Sequence, residues 1–272
     1  MPARIAHGAL DETHGPVCAP AIHSRPVLAV CMGSKMVRVL LAVVVLVWPM
    51  AGVTALSDGY AAAQRGDYET VYREWLPLAE AGDAGAQYIV GMFYQLGKGN
   101  PKDYREAENW YRMAAEQGYT NAQVALAVMY TLGEEVAQDF REAARWLGMA
   151  AEQGNPVAQT MLATMYYEGT GIRKDKQEMV KWFRKAAEQG DADAQFALGV
   201  LYAKDEDVQQ DLIQSLAWLN LSAAQGHERA VETRLKFNDL MTSSQIAEAR
   251  QLSDLWLNQI ELGEPLSEVK SP

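Results

Sequence analysis

Apolar residues in the central part of the chain recur at intervals of three and four, which places them on one face of a helix. Ala86, Val90 and Tyr94 form one such stripe. A second stripe follows and consists of Ala107, Trp110, Tyr111 and Ala114. The pattern predicts two consecutive amphipathic helices, which we call helix A and helix B.

This pair of stripes returns every 36 residues, four times in all. The segment Ala-Ala-Glu-Gln-Gly ends at Gly118, Gly154 and Gly190, and a shorter version ends at Gly226. The aligned columns are Trp110, Trp146, Trp182 and Trp218; Tyr94, Tyr130, Tyr166 and Tyr202; Ala86, Ala122, Ala158 and Ala194; and Gln87, Gln123, Gln159 and Gln195. Agreement over so many columns establishes an internal repeat. We expect the repeated tryptophans and tyrosines to lie in the core.

Helix start and stop signals repeat with the same period. An aspartate followed by Glu or Gln three residues later is typical of a capping box, and it opens each helix B at Asp103, Asp139, Asp175 and Asp211. The recurring glycine suits the left-handed position that ends a helix. Asp83, Asn155 and Asp191 can cap the next helix A, whereas Tyr119 and His227 are expected to cap poorly.

One pair of helices cannot bury both of its stripes, so neighbouring pairs must stack into a continuous core. Gly or Ala at positions 91, 127, 163 and 199 lets the paired helices approach closely. The predicted fold is therefore an all-α, right-handed α-solenoid of helix-turn-helix units. The predicted units are 56–82 (a partial leading repeat), 83–118, 119–154, 155–190 and 191–226.

The repeat resembles the Sel-one-like family, which is related to the tetratricopeptide repeat. The residues that carry this resemblance are Ala86, Val90-Gly91, Tyr94, the Gly97 and Gly99 loop, Asp103, Ala107, Trp110-Tyr111 and Ala114 to Gly118. The resemblance covers residues 83–227, and the repeat architecture favours a binding scaffold. In two units the loop glycines are replaced, by Glu134-Glu135 and by Asp205-Glu206-Asp207. We expect those two loops to differ in conformation.

The first 55 residues are predicted to be a leader. Lys35 and Arg38 precede an apolar run at 39–48, and small residues follow up to Ala55. This order is typical of a secretory signal peptide cleaved after residue 55, and the run is too short for a permanent membrane span. We expect a periplasmic or secreted bacterial protein, with an uncleaved inner-membrane anchor as the alternative. Met1, Met32 and Met36 all remain candidate starts.

The repeat fades after Gly226. Two closing helices are predicted within 227–262, at Glu228–Leu240 and from Thr242, where Gln245 completes a capping box. Gln251, Asp254, Asn258 and Glu261 would supply the polar outer face that a terminal unit needs. Residues 263–272 are expected to be a disordered tail.

Charge and composition narrow the possible chemistry. The net charge of −11 disfavours nucleic acid as a partner. Both cysteines, Cys18 and Cys31, lie in the leader, and His227 is the only histidine beyond it. We therefore expect no enzyme activity, no cofactor and no metal site, and take the acidic run at 205–207 as a solvated loop. Arg112 with Glu116 and Arg184 with Glu188 are predicted helix ion pairs.

By analogy with tetratricopeptide packing, a partner would bind positions of helix A that vary between units and line the concave side. These positions are Tyr88, Met92, Gln95, Val124, Val128, Thr131, Thr160, Thr164, Tyr167, Phe196, Val200 and Ala203. They are uncharged and mildly apolar, which suits a peptide or helix with apolar anchors.

The predicted function is a protein-protein interaction scaffold in the cell envelope, with partner identity and oligomeric state open. Two alternatives are considered. One is an adaptor in envelope or exopolysaccharide assembly. The other is β-lactam hydrolysis, which is associated with some cysteine-rich relatives and is disfavoured by the lack of cysteine after the leader.

Overall fold

Helices and short loops make up the computed structural model, which describes residues 65–133, 135–204 and 211–266. No strand occurs in these ranges. The predicted leader, the fourth-unit loop at 205–207 and most of the predicted tail lie outside the described residues. The α-helices wholly within them are α1 Tyr68–Glu80, α2 Ala84–Leu96, α3 Tyr104–Glu116, α4 Thr120–Leu132, α5 Phe140–Glu152, α6 Pro156–Glu168, α7 Lys176–Glu188, α8 Ala192–Lys204, α9 Leu212–Ala224, α10 Glu228–Leu235 and α11 Ser243–Leu262.

Consecutive helices from α1 to α10 pack against each other, and α11 packs against α9. Helices α2, α4, α6 and α8 are the predicted helices A, and α3, α5, α7 and α9 are the predicted helices B. Each helix B also packs against the helix A of the next unit, so the units share a continuous core. Helix α1 stands in the place of a helix B and packs against α2. This arrangement confirms the all-α solenoid.

The predicted caps form, with two corrections. Asp103, Asp139, Asp175 and Asp211 each accept hydrogen bonds from two backbone N–H groups of the first helix B turn. The second half of the capping box, in which the Glu side chain binds back to the cap residue, is replaced in two units. Glu142 and Glu178 instead form ion pairs with Arg145 and Lys181, three residues later.

His227 was expected to cap poorly, and this expectation was wrong. Its Nδ1 accepts a hydrogen bond from the backbone N–H of Ala230 at 3.1 Å. A neutral imidazole can cap in this way because its unprotonated nitrogen is an acceptor. Tyr119 makes no side-chain cap at the start of α4, as expected.

Small residues bring the two helices of a unit into close contact, as predicted. A Cβ added to Gly91 would lie 2.7 Å from the Tyr111 ring, and one added to Gly199 would lie 2.7 Å from Leu219 Cγ. Ala127 and Ala163, at the same place in the other units, are fully buried. A larger side chain at these positions would push the paired helices apart.

The loop of the second unit keeps one backbone feature that was expected to change. Glu135 has a φ of 57°, in the left-handed region that Gly99 and Gly171 occupy at the equivalent position with φ of 78° and 71°. The expectation of a different conformation is wrong at this residue. Stacking of the units holds the turn even where glycine is absent.

Buried aromatic residues form the core, with exceptions in the first and third units. Trp146, Trp182 and Trp218 are buried. Trp110 is only half-buried, which corrects the prediction for that unit. Among the repeated tyrosines, Tyr130 and Tyr202 are buried, whereas Tyr94 and Tyr166 are half-buried.

A ladder of hydrogen-bonded glutamines, buried on the helices A and exposed at the ends of the helices B, joins successive units. Each helix A glutamine donates from Nε2 to a carbonyl near the end of the preceding helix B, at 3.1–3.2 Å: Gln87 to Ala79, Gln123 to Ala115, Gln159 to Ala151 and Gln195 to Ala187. Each also accepts at Oε1, at 2.8–2.9 Å, from a glutamine 30 residues later: Gln117, Gln153, Gln189 and Gln225. We call these eight residues the glutamine ladder.

The solenoid closes on α11. Trp256 packs on Trp218, with ring centroids 4.4 Å apart. Thr242 and Gln245 form the predicted capping box. The other closing helix is shorter than predicted, because α10 gives way to a 3-10 helix at Lys236–Asp239. All four predicted polar positions of α11 are exposed, and Leu255, Leu257 and Leu262 are exposed beside them.

Candidate functional site

The twelve predicted binding positions lie three each on α2, α4, α6 and α8, and we call them the helix A wall. Four of them are 8–9% exposed: Tyr88, Val128, Thr160 and Phe196. The other eight are half-buried: Met92, Gln95, Val124, Thr131, Thr164, Tyr167, Val200 and Ala203. The wall therefore contains residues that pack between units as well as residues that solvent can reach.

Tyr88 packs inside an aromatic cluster. Its ring centroid lies 5.6 Å from that of Tyr111 on α3 and 5.4 Å from that of Tyr119 at the start of α4. Burial is the first cause of the raised pKa of the Tyr88 hydroxyl, and Tyr119 adds to it. Tyr88 thus joins the first unit to the second.

Thr160 occupies the same place in the third unit and contacts the fourth. Its hydroxyl donates to Asp191 Oδ1 at 2.9 Å, and the same oxygen accepts from Ala194 N at 2.8 Å. Burial raises the pKa of Asp191 despite these hydrogen bonds. The carboxylate stays in place because it caps α8 and receives the threonine hydroxyl.

Phe196 lies at the C-terminal end of the wall, among charged groups. Its ring stacks on His227 at 4.6 Å between centroids, and the Arg229 guanidinium lies 4.9 Å from the ring centroid. His227 Nε2 is 3.2 Å from Asp193 Oδ1. His227 thus caps α10, stacks on Phe196 and faces Asp193.

The half-buried members of the wall offer few free polar groups. Gln95 accepts a hydrogen bond from the Tyr111 hydroxyl at 2.7 Å. Thr131 and Thr164 donate to backbone carbonyls four residues earlier in their own helices. Because these groups are already bonded, the wall is less polar than its residue names suggest.

Two exposed apolar residues were missed by the sequence analysis. Leu96 and Val157 are each 47% exposed. Leu96 follows Met92 by four residues, and Val157 precedes Thr160 by three, so each shares a helix face with a wall position. Their helical spacing is a signal that could have found them. They extend the apolar character of the wall.

The predicted arginine ion pairs take a different form. Arg112 binds Glu108 at 2.6 Å, four residues before it, and not Glu116 as predicted. Its guanidinium also donates to the Tyr130 hydroxyl on the next helix A. Arg184 likewise donates to the Tyr202 hydroxyl, at 2.6 Å. These arginines reach across to the next unit because tyrosine hydroxyls lie within their range there.

A metal site or a membrane span would need particular residues in the part of the chain that the structure describes. No group of three or more His, Cys, Asp or Glu side chains in that part could hold a metal ion. The described helices also include none with the length and apolar character needed to cross a membrane.

Comparison with known proteins agrees with the geometry. The Sel1 repeat model matches residues 84–119, 120–155, 156–191 and 192–227. No curated protein sequence matches the chain significantly. A Sel1 repeat protein from Oxalobacter formigenes is 27% identical, with a TM-score of 0.64, covering 77% of this chain and 84% of its own.

Two further solved structures are more distant. A protective antigen of uropathogenic Escherichia coli with an SLR fold is 26% identical, covering 75% of this chain and 54% of its own, with a TM-score of 0.49. Immunity protein Pa5087 from Pseudomonas aeruginosa is 20% identical, covering 80% and 84%, with a TM-score of 0.46.

Proposed function

Because this chain belongs to the Sel1 repeat family, we propose that it is a non-catalytic scaffold that binds a protein partner on the helix A wall. Sel1 repeat proteins are generally protein-interaction scaffolds. The observation that carries the proposal is the uncharged wall itself, on the helix A of all four units, with exposed Leu96 and Val157 beside it. Such a surface suits an extended peptide or a helix with apolar anchors.

The half-buried wall residues are the proposed contact, and the buried ones support them. Met92, Thr164 and Val200 stand at equivalent positions 36 or 72 residues apart and are all reachable by solvent. The helices that carry these three residues are held in place by the buried contacts of Tyr88, Thr160 and Phe196. A partner segment would bury the reachable side chains and gain mainly hydrophobic free energy.

The proposed place of action is the cell envelope, which the leader of the sequence supports. Lys35 and Arg38, the apolar run at 39–48 and Ala55 have the order of a secretory signal. The partner is accordingly expected among periplasmic proteins or the periplasmic parts of membrane proteins.

Variants at the wall test the proposal. We expect Met92→Lys, Thr164→Lys and Val200→Lys together to reduce partner capture at least about tenfold, because each places a charge in an apolar contact. The measurement is quantitative pull-down from an envelope extract with the purified full chain as bait. A partner is defined as a protein that the wild-type chain captures reproducibly.

The matched control carries Asn109→Lys, Gln177→Lys and Asn258→Lys, three exposed positions away from helix A. It adds the same number of lysines and should retain capture. Equal loss in both triple variants would point to net charge, and full retention in the wall variant would refute the proposed contact. Circular dichroism of both variants checks that the helices persist.

A further inference from the structure

The repeated tyrosines of helix A meet the preceding helix B in a periodic contact. Tyr130 receives a hydrogen bond from Arg112 and donates to Glu108 at 2.5 Å. Tyr202 receives one from Arg184 at 2.6 Å. In both cases the arginine stands 18 residues before the tyrosine. At these two junctions the tyrosine is 7–8% exposed.

The junction between the second and third units breaks this pattern. Gly148 stands 18 residues before Tyr166, where the flanking junctions have arginine, and Ala144 stands in the place of Glu108. A Cβ built on Gly148 meets no atom within 4 Å, so open space lies beside that residue. Tyr166 is half-buried. We call Ala144, Gly148 and Tyr166 the Tyr166 notch.

The electrostatic surroundings of Tyr166 favour a cation. Burial is the first cause of the raised pKa of its hydroxyl, and Glu178 and Asp175 raise that pKa further, while Lys181 opposes them more weakly. Lys181 Nζ forms an ion pair with Glu178 at 2.8 Å, and this carboxylate offsets part of the lysine's positive charge. The net charge of the chain is −11. A positively charged group approaching the notch is therefore attracted.

We propose that the Tyr166 notch receives an arginine side chain of the protein partner, which takes the place that Arg112 and Arg184 hold at the flanking junctions. Arginine fits better than lysine because its planar guanidinium can both donate to a tyrosine hydroxyl and lie against a ring. The proposal rests on the proposed function, since it assumes a protein partner. The contact is separate from the wall, because Tyr166 and Thr164 point about 160° apart around α6.

Variants at Gly148 test whether an arginine side chain fits the Tyr166 notch. We expect Gly148→Arg to unfold at a higher urea concentration than Gly148→Ala, because the new arginine repeats the Arg184 contact with tyrosine. Helix propensity works against this result, since alanine is the better helix former. The advantage of arginine should vanish when Tyr166→Phe is added to both variants. Equal midpoints, or an advantage that survives Tyr166→Phe, would refute the fit.

Ligand binding tests the proposal directly. The probe is N-acetyl-arginine amide, titrated into the full chain carrying 13C-labelled tyrosines, with Tyr166→Phe used to assign the Tyr166 ring signals. We expect those signals to shift in a saturable way in the millimolar range. N-acetyl-citrulline amide, which has the same shape without the charge, should cause at most about a tenth of the shift.

Variants separate the notch from the wall. Gly148→Arg should abolish the Tyr166 shift by filling the notch, whereas Gly148→Ala should retain it. The Met92, Thr164 and Val200 lysine variant should also retain it, so failure of the wall and failure of the notch give different results. An unshifted Tyr166 signal, an equal response to citrulline, or binding that survives Gly148→Arg would overturn the proposal.

Discussion

Glu135 shows how the stacked units can impose a backbone conformation that its side chain resists. Its φ of 57° lies in the left-handed region, where a residue with a Cβ is disfavoured by about 1–2 kcal/mol. The equivalent glycines have no room for a Cβ, since one added to Gly171 would lie 2.1 Å from the Phe140 carbonyl oxygen. The second unit accommodates a Cβ at this place but still carries the backbone strain.

We predict that Glu135→Gly stabilises the chain by about 0.5–1 kcal/mol, because relief of the left-handed strain exceeds the added freedom of glycine in the unfolded state. Gly171→Ala, at the same place one unit later, should destabilise it by about 2 kcal/mol or more through strain and overlap. Urea unfolding of the full chain measures both. A loss of stability on Glu135→Gly would show that its side chain, rather than its backbone, matters.

The roles of His227 and of the buried wall residues could not be predicted from the sequence. The capping aspartates were predictable, because a short side chain acts on its own helix. The imidazole cap was missed, since histidine is rarely assigned that role. The burial of Tyr88, Thr160 and Phe196 was also missed. Each is covered by the residue 31 positions later, and that contact depends on how the units stack.

The glutamine ladder connects helices that the repeat pattern alone left unconnected. Gln123, for example, joins the end of α3 through Ala115 and the end of α5 through Gln153. The glutamine columns were visible in the sequence, yet their partners lie 8 residues before and 30 residues after, and only the folded units bring them together. The ladder gives a second hydrogen bond to carbonyl groups at helix ends, each of which also accepts one from the N–H of the glycine that follows the helix.

We predict that Gln123→Leu lowers the free energy of unfolding by about 1–3 kcal/mol. Leucine has a similar size, but it removes two hydrogen bonds worth about 0.5–1.5 kcal/mol each, the one donated to the Ala115 carbonyl and the one accepted from Gln153. Gln153→Leu should cost less, because Gln153 is exposed and water can replace it. Urea unfolding of the two single variants and of the double variant measures their coupling. Equal costs for the two single changes would contradict this account of the ladder.

Helix identity and order were predictable from the sequence because the 36-residue period fixes both stripes and both ends of each helix. The start of α11 followed from its capping box in the same way. The end of α10 did not, since no stop signal marks the change to a 3-10 helix at Lys236. The end of α10 and the conformation of the loops depend on neighbours that a linear pattern does not contain.

At the scale of the molecule, the acidic chain carries an uncharged wall on its four helices A. Charged side chains keep the rest of the surface solvated. The apolar side chains of the wall would gain hydrophobic free energy if a partner removed them from water. The core holds the wall in place through Tyr88, Thr160 and Phe196, so the proposed binding surface is formed without a partner. Preformed surfaces lose less conformational entropy on binding.

Site-specific photo-crosslinking in living cells tests the proposed binding surface most directly. A photoreactive phenylalanine analogue replaces Met92, Thr164 or Val200 on the wall, or Asn109 or Gln177 on helix B as controls, in the otherwise unchanged full chain. We predict that the same protein is crosslinked from at least two wall positions and from neither control. Crosslinks to that protein from the helix B positions, with none from the wall, would contradict the account.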